Sequence, residues 1–191
     1  MKKKFTQLAV LALFFAFLAP VAVQAQAKTA VIYFSATGST EQVATEVQKA
    51  LKAEIFKIEV EKPYPTDDKQ LRDAVAAEQK DKKWPAIKKS AFDVSKYDIL
   101  VIGSPVWNSS VSSPVVSFLN ATDLGGKKVY LFGTCSGGEG AFFDDFEKLL
   151  KNGKLQTQVA GKVTKKGTAF QNVKSDKKIG DKIGAWVKTI K

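Results

Sequence analysis

The chain reads as one α/β domain with a parallel sheet and helices on both faces. Three observations predict it. Strand-like and helix-like stretches alternate five times with no break in composition, linker or repeat between them. The central run Ile99-Leu100-Val101-Ile102 is apolar throughout, as in a strand covered on both faces. The chain has 191 residues, which suits one domain with a sizeable core.

The N-terminal residues stand outside that domain. Met1-Lys2-Lys3-Lys4 is a basic start, Leu8 to Val23 is almost unbroken apolar sequence, and Val23-Gln24-Ala25-Gln26-Ala27 offers small residues for cleavage. This is the pattern of a secretory signal peptide over residues 1–27, cut after Ala25 or Ala27, with the domain over 28–191. The apolar run is shorter than the roughly 20 residues of a spanning helix, which disfavours the alternative of an uncleaved anchor. No cysteine follows the run and no arginine pair precedes it, so neither a lipoprotein anchor nor the twin-arginine route is indicated. The expectation is a bacterial protein exported to the periplasm or another extracytoplasmic space.

The first strand, Val31-Ile32-Tyr33-Phe34, stops at Ser35-Ala36-Thr37-Gly38-Ser39-Thr40. A helical pattern begins at once with Val43, Ala44, Val47 and Leu51. Strand, tight loop, helix is the grammar of an anion site, because the first amides of a helix lack partners and the helix dipole adds about half a positive charge there. Hydroxyls on Ser35, Thr37, Ser39 and Thr40 can donate to the same phosphate, and Gly38 lets the backbone approach. The loop lacks the lysine of a nucleoside-triphosphate loop and the repeated glycines of a dinucleotide loop. The alternative is an ordinary capped helix after a buried strand.

Ala53 to Val60 alternates as a second strand. Pro63-Tyr64-Pro65 marks a loop, and Thr66-Asp67-Asp68 caps a helix running through Leu71 and Val75 to about Lys80. Trp84-Pro85 lies in a connector, its tryptophan read as packing over the core, with a cofactor edge as the alternative. The third strand ends at Gly103. The loop after it, Ser104 to Ser113, holds Trp107 between prolines, with a helix from about Pro114. Lys128 to Thr134 is the fourth strand, and the loop Thr134-Cys135-Ser136-Gly137-Gly138-Glu139-Gly140 leads into a helix to Leu150. Val159 to Val163 reads as a weaker fifth strand, and Ile179 to Ile190 as the closing helix.

In a doubly wound sheet the ligand sits beyond the carboxyl ends of the strands, where the order reverses. The loops after strands one, three and four are therefore expected to meet. Trp107 can stack on a flat ring; its alternative is a ring folded back onto the domain. Cys135, near a helix start, is a candidate for a lowered thiol pKa; its alternative is a small residue packed under the loop.

The three loops together, S/T-x-T-G-x-T, G-x-P-x-W and the Thr134 to Gly140 loop that looks like T-S-G-G-x-G, resemble those of the flavodoxin family over the whole chain from about Lys28. The resemblance implies a five-stranded parallel sheet in the order 2-1-3-4-5, three layers α/β/α, and FMN as cofactor. It places the phosphate on Ser35, Thr37, Gly38, Ser39 and Thr40. The ring falls between Pro105, Val106, Trp107 and Asn108 on one side and Thr134, Cys135, Ser136, Gly137 and Gly138 on the other. Many relatives carry a second aromatic where this chain has Asn108. The implied role is an electron carrier with redox partner proteins. An FMN-dependent NAD(P)H or quinone oxidoreductase and a flavin-free binding module are the alternatives.

Composition narrows the rest. The chain has no histidine and one cysteine. Ser-His-Asp and Cys-His hydrolases, an internal disulfide and the usual zinc ligand sets are excluded. The formal net charge is +11, or +8 once Lys2, Lys3 and Lys4 leave with the leader. Flavodoxins are usually acidic, so the chain departs from the family here. The functional reading of the charge is a partner protein with an acidic face, or the membrane surface; its alternative is a set of lysine-rich, merely solvated faces. Nucleic acid fits poorly: the lysines are spread out and no nucleic-acid-binding motif is present.

Overall fold

The structure, a computed structural model, describes residues 27–151 and 167–190. In chain order these form β1 (Thr29–Tyr33), α1 (Ser39–Leu51), β2 (Glu54–Lys57), α2 (Asp68–Asp81), β3 (Ile99–Trp107), β4 (Ser110–Val111), α3 (Ser113–Ala121), β5 (Lys128–Cys135), α4 (Phe142–Lys151), β6 (Thr168–Gln171) and α5 (Ile179–Val187). The strands run β2-β1-β3-β5-β6, every pair parallel. Counting parallel strands alone, this is the expected order 2-1-3-4-5. The short β4 is an addition, antiparallel to the end of β3.

The strands divide their side chains between two cores with period two, as a pleated sheet requires. Ile32, Leu100, Ile102 and Leu131 meet α3 and α4 through Val115, Leu119, Phe142 and Phe146. Val31, Val101 and Phe132 meet α1 and α5 through Val43, Val47, Ile183 and Trp186. Trp84 packs at the edge of the first core, as its connector position suggested. α2 is the exception. Asp67 caps it, accepting from the Gln70 amide at 2.9 Å, but Val75 is its only buried residue and it packs against α3.

The strand read at Val159 to Val163 lies outside the described residues, among which the fifth parallel strand is Thr168–Gln171. One expectation changes. The loop expected after strand three is a hairpin. β3 runs on to Trp107, Asn108 and Ser109 turn with φ of 46° and 62°, and Ser110 pairs back with Trp107. Both central residues are left-handed, as a two-residue primed turn demands.

Burial, with a neighbouring carboxylate second, pushes the Tyr33 and Tyr97 hydroxyls up to about 12. Unfolded tyrosine ionises near 10. The neutral rings therefore support the fold fully below pH 10, and that support is lost as pH rises towards 12. Urea midpoints should hold steady from pH 8 to 9.5 and fall steeply above pH 10, in step with tyrosinate absorbance in the unfolded chain.

Candidate functional site

β1 delivers Ser35 to Thr40 to the carboxyl edge of the sheet. Gly38 takes φ 89° and stands at the N-cap of α1, which has no side-chain cap. The Ser35 hydroxyl instead accepts from the Gly38 amide at 3.1 Å, closing the loop from within. Among the described residues, the first turn of this 13-residue helix is thus left without a side-chain acceptor. Thr37, exposed, and Ser39, half-buried, add hydroxyls beside it. This uncapped, hydroxyl-rich helix start fits a phosphate group.

In front of it opens a cleft of about 490 Å³, within the roughly 300–1,000 Å³ of small-molecule sites. The loops after β1, β3 and β5 do meet there. Thr37, Ser39 and Thr40 line it from the first loop, Pro105, Val106, Trp107 and Asn108 from the hairpin, and Thr134, Cys135 and Ser136 from the third. Four of the expected residues lie elsewhere. Ser35 is buried beneath the first loop and Gly38 shapes it without lining the cleft. Gly137 and Gly138 are exposed and away from the lining, and a Cβ on either would meet no protein atom within 4 Å.

Thr40 is tied rather than free. Its hydroxyl, 1% exposed, lies 2.7 Å from that of Thr134, 4% exposed, joining the first loop to the third. Thr40→Val strands the Thr134 hydroxyl and should cost about 1–3 kcal/mol. Adding Thr134→Val should recover most of it, as a denaturant double-mutant cycle will read.

Trp107 is folded back onto the domain while still reaching the cleft. It borders the cleft, and its ring also packs edge-on against Phe34 at 5.5 Å and Tyr64 at 5.0 Å. Tyr64 is fixed in turn by the Glu78 carboxylate of α2, at 2.9 and 3.0 Å, and burial pushes its hydroxyl well above the usual range. Asn108 sends its amide to Gln79 of α2. Its identity therefore follows from the left-handed turn it occupies, a conformation asparagine tolerates. The base of the hairpin rests on the buried Ser104–Ser112 hydroxyl pair at 2.9 Å, and Ser110 donates to Asp145 of α4 at 2.7 Å.

Cys135 does not carry the lowered pKa considered for it. Burial, and then the charge of Glu139, push the thiol up, and its Sγ lies 3.2 Å from the Gly137 carbonyl, so it packs within its own loop.

Two walls of the cleft had no signal in the sequence reading. Asn172 to Ser175, after β6, close one side, the Asn172 amide bonding the Cys135 carbonyl at 2.9 Å. Asp68, Leu71, Arg72 and Val75 of α2 close another. The first was hidden because the fifth strand was sought earlier in the chain.

An uncapped helix start opening onto a cleft edged by a tryptophan, at the carboxyl ends of a doubly wound sheet, defines a flavin-mononucleotide-type binding domain. A family model described as flavodoxin matches residues 28–190, so the chain belongs to the flavodoxin family, whose cofactor is FMN. Among solved structures it is similar to a protein assigned as a flavoprotein from Bacteroides uniformis, with 26% identity, 85% of this chain and 98% of that one covered, and a TM-score of 0.69. A counterpart from Bacteroides eggerthii gives 26%, 86%, 98% and 0.66. A flavoprotein of Lactobacillus acidophilus in complex with FMN gives 24%, 75%, 93% and 0.63, a likeness of fold. No curated protein sequence matches the chain significantly.

Proposed function

We propose that the chain is an FMN-binding electron carrier of the bacterial cell envelope, working between partner proteins. The observation that carries this reading is the α1 start, uncapped by any side chain, facing a ring-sized cleft bordered by Trp107. The Ser39 and Thr40 amides, with the Thr37 and Ser39 hydroxyls, would hold the phosphate; the Trp107 hairpin and the Thr134–Ser136 and Asn172–Ser175 loops would border the ring. Bound there, FMN supplies one- or two-electron chemistry. The chain supplies binding, exclusion of water and electrostatics.

Arg72 and Lys174 border the cleft beside a single acid, Asp68, which pairs with Arg72 at 3.2 Å. That balance favours the reduced, anionic flavin. The midpoint potential should therefore lie above that of acidic flavodoxins, and a value as low as theirs would count against it. The partner face should be acidic. Lys174, at the rim of the cleft, is a local basic group for such docking.

Export rests on the basic start, apolar run and small residues of the leader. The mass of the protein recovered from cells should correspond to a chain beginning at Gln26 or Lys28. Function is tested by titrating the chain from Lys28 with FMN. One-to-one quenching of flavin fluorescence is expected, with no NAD(P)H–quinone turnover by the chain alone. Absence of binding by a folded chain sinks the carrier reading, and steady turnover replaces it with a reductase.

A further inference from the structure

The side-chain amide of Gln79 reaches from α2 to the tip of the β3–β4 hairpin with both its ends. Its Nε2 donates to the Trp107 carbonyl at 3.2 Å, and its Oε1 accepts from Asn108 Nδ2 at 2.9 Å. The turn it grips is demanding, since Asn108 and Ser109 both hold left-handed backbone and neither is glycine. The other supports of the hairpin act lower down: Ser104 with Ser112 at the base, and Asp145 with Ser110 on the returning strand. Gln79 alone among these holds the residue that faces the cleft.

α2 contributes more than an anchor point. Leu71, Arg72 and Val75 line the same cleft as Trp107, yet Val75 is the helix's one buried residue. Two polar ties at its C-terminal end fix the rest of it: Glu78 to Tyr64, whose ring packs on Trp107, and Gln79 to the Trp107 turn. Helix wall and tryptophan edge are therefore set together, through adjacent residues of one helix.

We propose that Gln79 is a positioning residue for the flavin: by locking α2 to the Trp107 turn, it fixes the spacing between the helix wall of the cleft and the tryptophan edge. This rests on the FMN reading of the cleft, but the coupling itself is a property of the apoprotein. Loss of the tie leaves the phosphate loop intact and loosens the ring end, so release of FMN should quicken more than its association slows.

The test uses the chain from Lys28 in two arms. In the apoprotein, the Trp107 indole N–H resonance, assigned with Trp107→Phe, is followed in Gln79→Ala and Gln79→Glu, with Gln70→Ala as a control on the same helix. Gln79→Ala should shift or broaden the Trp107 resonance while those of Trp84 and Trp186 stay in place. Gln79→Glu keeps the acceptor for Asn108 and loses the donor to the carbonyl, so it should fall between wild type and alanine. In the loaded protein, Gln79→Ala should raise the FMN dissociation constant 5–20-fold, mainly through the off-rate, and alter the visible circular dichroism of the flavin. An unmoved Trp107 resonance in both variants overturns the proposal. So does an equal change in Gln70→Ala, or a general shift of all three indoles with a lowered melting temperature, which marks a purely structural role. Should Gln79→Ala not fold, Gln79→Glu decides. Failure of the wild-type chain to take FMN would sink the carrier reading, while the resonance arm still decides the coupling.

Discussion

Thr37→Glu should abolish FMN binding and leave the fold standing. Thr37 is exposed at the tip of the first loop, one residue before the left-handed Gly38, so a longer side chain meets no packed core. The apoprotein should be as stable as wild type or slightly more so, because an acid beside a helix start gains about 0.3–1 kcal/mol from the dipole. The bound state fares differently. The new carboxylate competes for the amides that the phosphate needs and repels a group carrying about two negative charges. At an effective dielectric near 20, one such pair at 4 Å costs about 4 kcal/mol, enough for roughly a thousandfold loss of affinity. Thr37→Gln, of the same reach without charge, should lose far less. Fluorescence titration of both variants, with melting curves of the apoproteins, checks this. A Thr37→Glu affinity within tenfold of wild type removes the first loop from the phosphate.

Gly103→Ala should be strongly destabilising. Gly103 sits on the central strand with Tyr33 and Phe132 as its neighbours in register. A Cβ there would enter the Phe132 ring, 2.6 and 2.7 Å from Cε1 and Cε2. Phe132 is fully buried and has no free direction, since Phe170 and Trp186 pack edge-on against it at 6.3 and 5.8 Å. Strand, ring and α5 must shift together. The cost should reach or exceed the upper end of the 1–3 kcal/mol usual for an overpacked core, a large part of the roughly 5–15 kcal/mol that holds a domain folded. Urea unfolding measures it, and adding Phe132→Leu should return part of the loss. A midpoint unchanged by Gly103→Ala would mean that the sheet and α5 are less tightly joined than drawn.

The readability of this chain followed how many residues each element commits to the core. β1, β3 and β5 are long and apolar, and α1 repeats its buried face over Val43, Ala44 and Val47; their order and layers could be read directly. β6 has four residues, of which Phe170 alone is buried, so it leaves almost no periodic trace. The hairpin was hidden for a different reason. Its turn is Asn-Ser rather than Asn-Gly, and its second strand has two residues, so a real reversal looked like a polar loop. The first loop was legible because its chemistry is local, with glycine, hydroxyls and helix start contiguous in sequence. The α2 wall and the Asn172 loop belong to the cleft only through tertiary placement, which no spacing in the chain encodes.

The bare start of α1 has a consequence for how the protein is loaded. A helix end that is complete only with a ligand in place is the part of the apoprotein most ready to open. The backbone hydrogens of Ser39, Thr40 and Glu41 should therefore exchange quickly with solvent in the empty chain, while those of β3 exchange only through global unfolding. Ligand occupancy would slow the former group selectively. It would also raise the whole stability curve by a term logarithmic in free ligand concentration. The chain can thus fold first and fill later, its empty site kept open by one unfinished turn of helix.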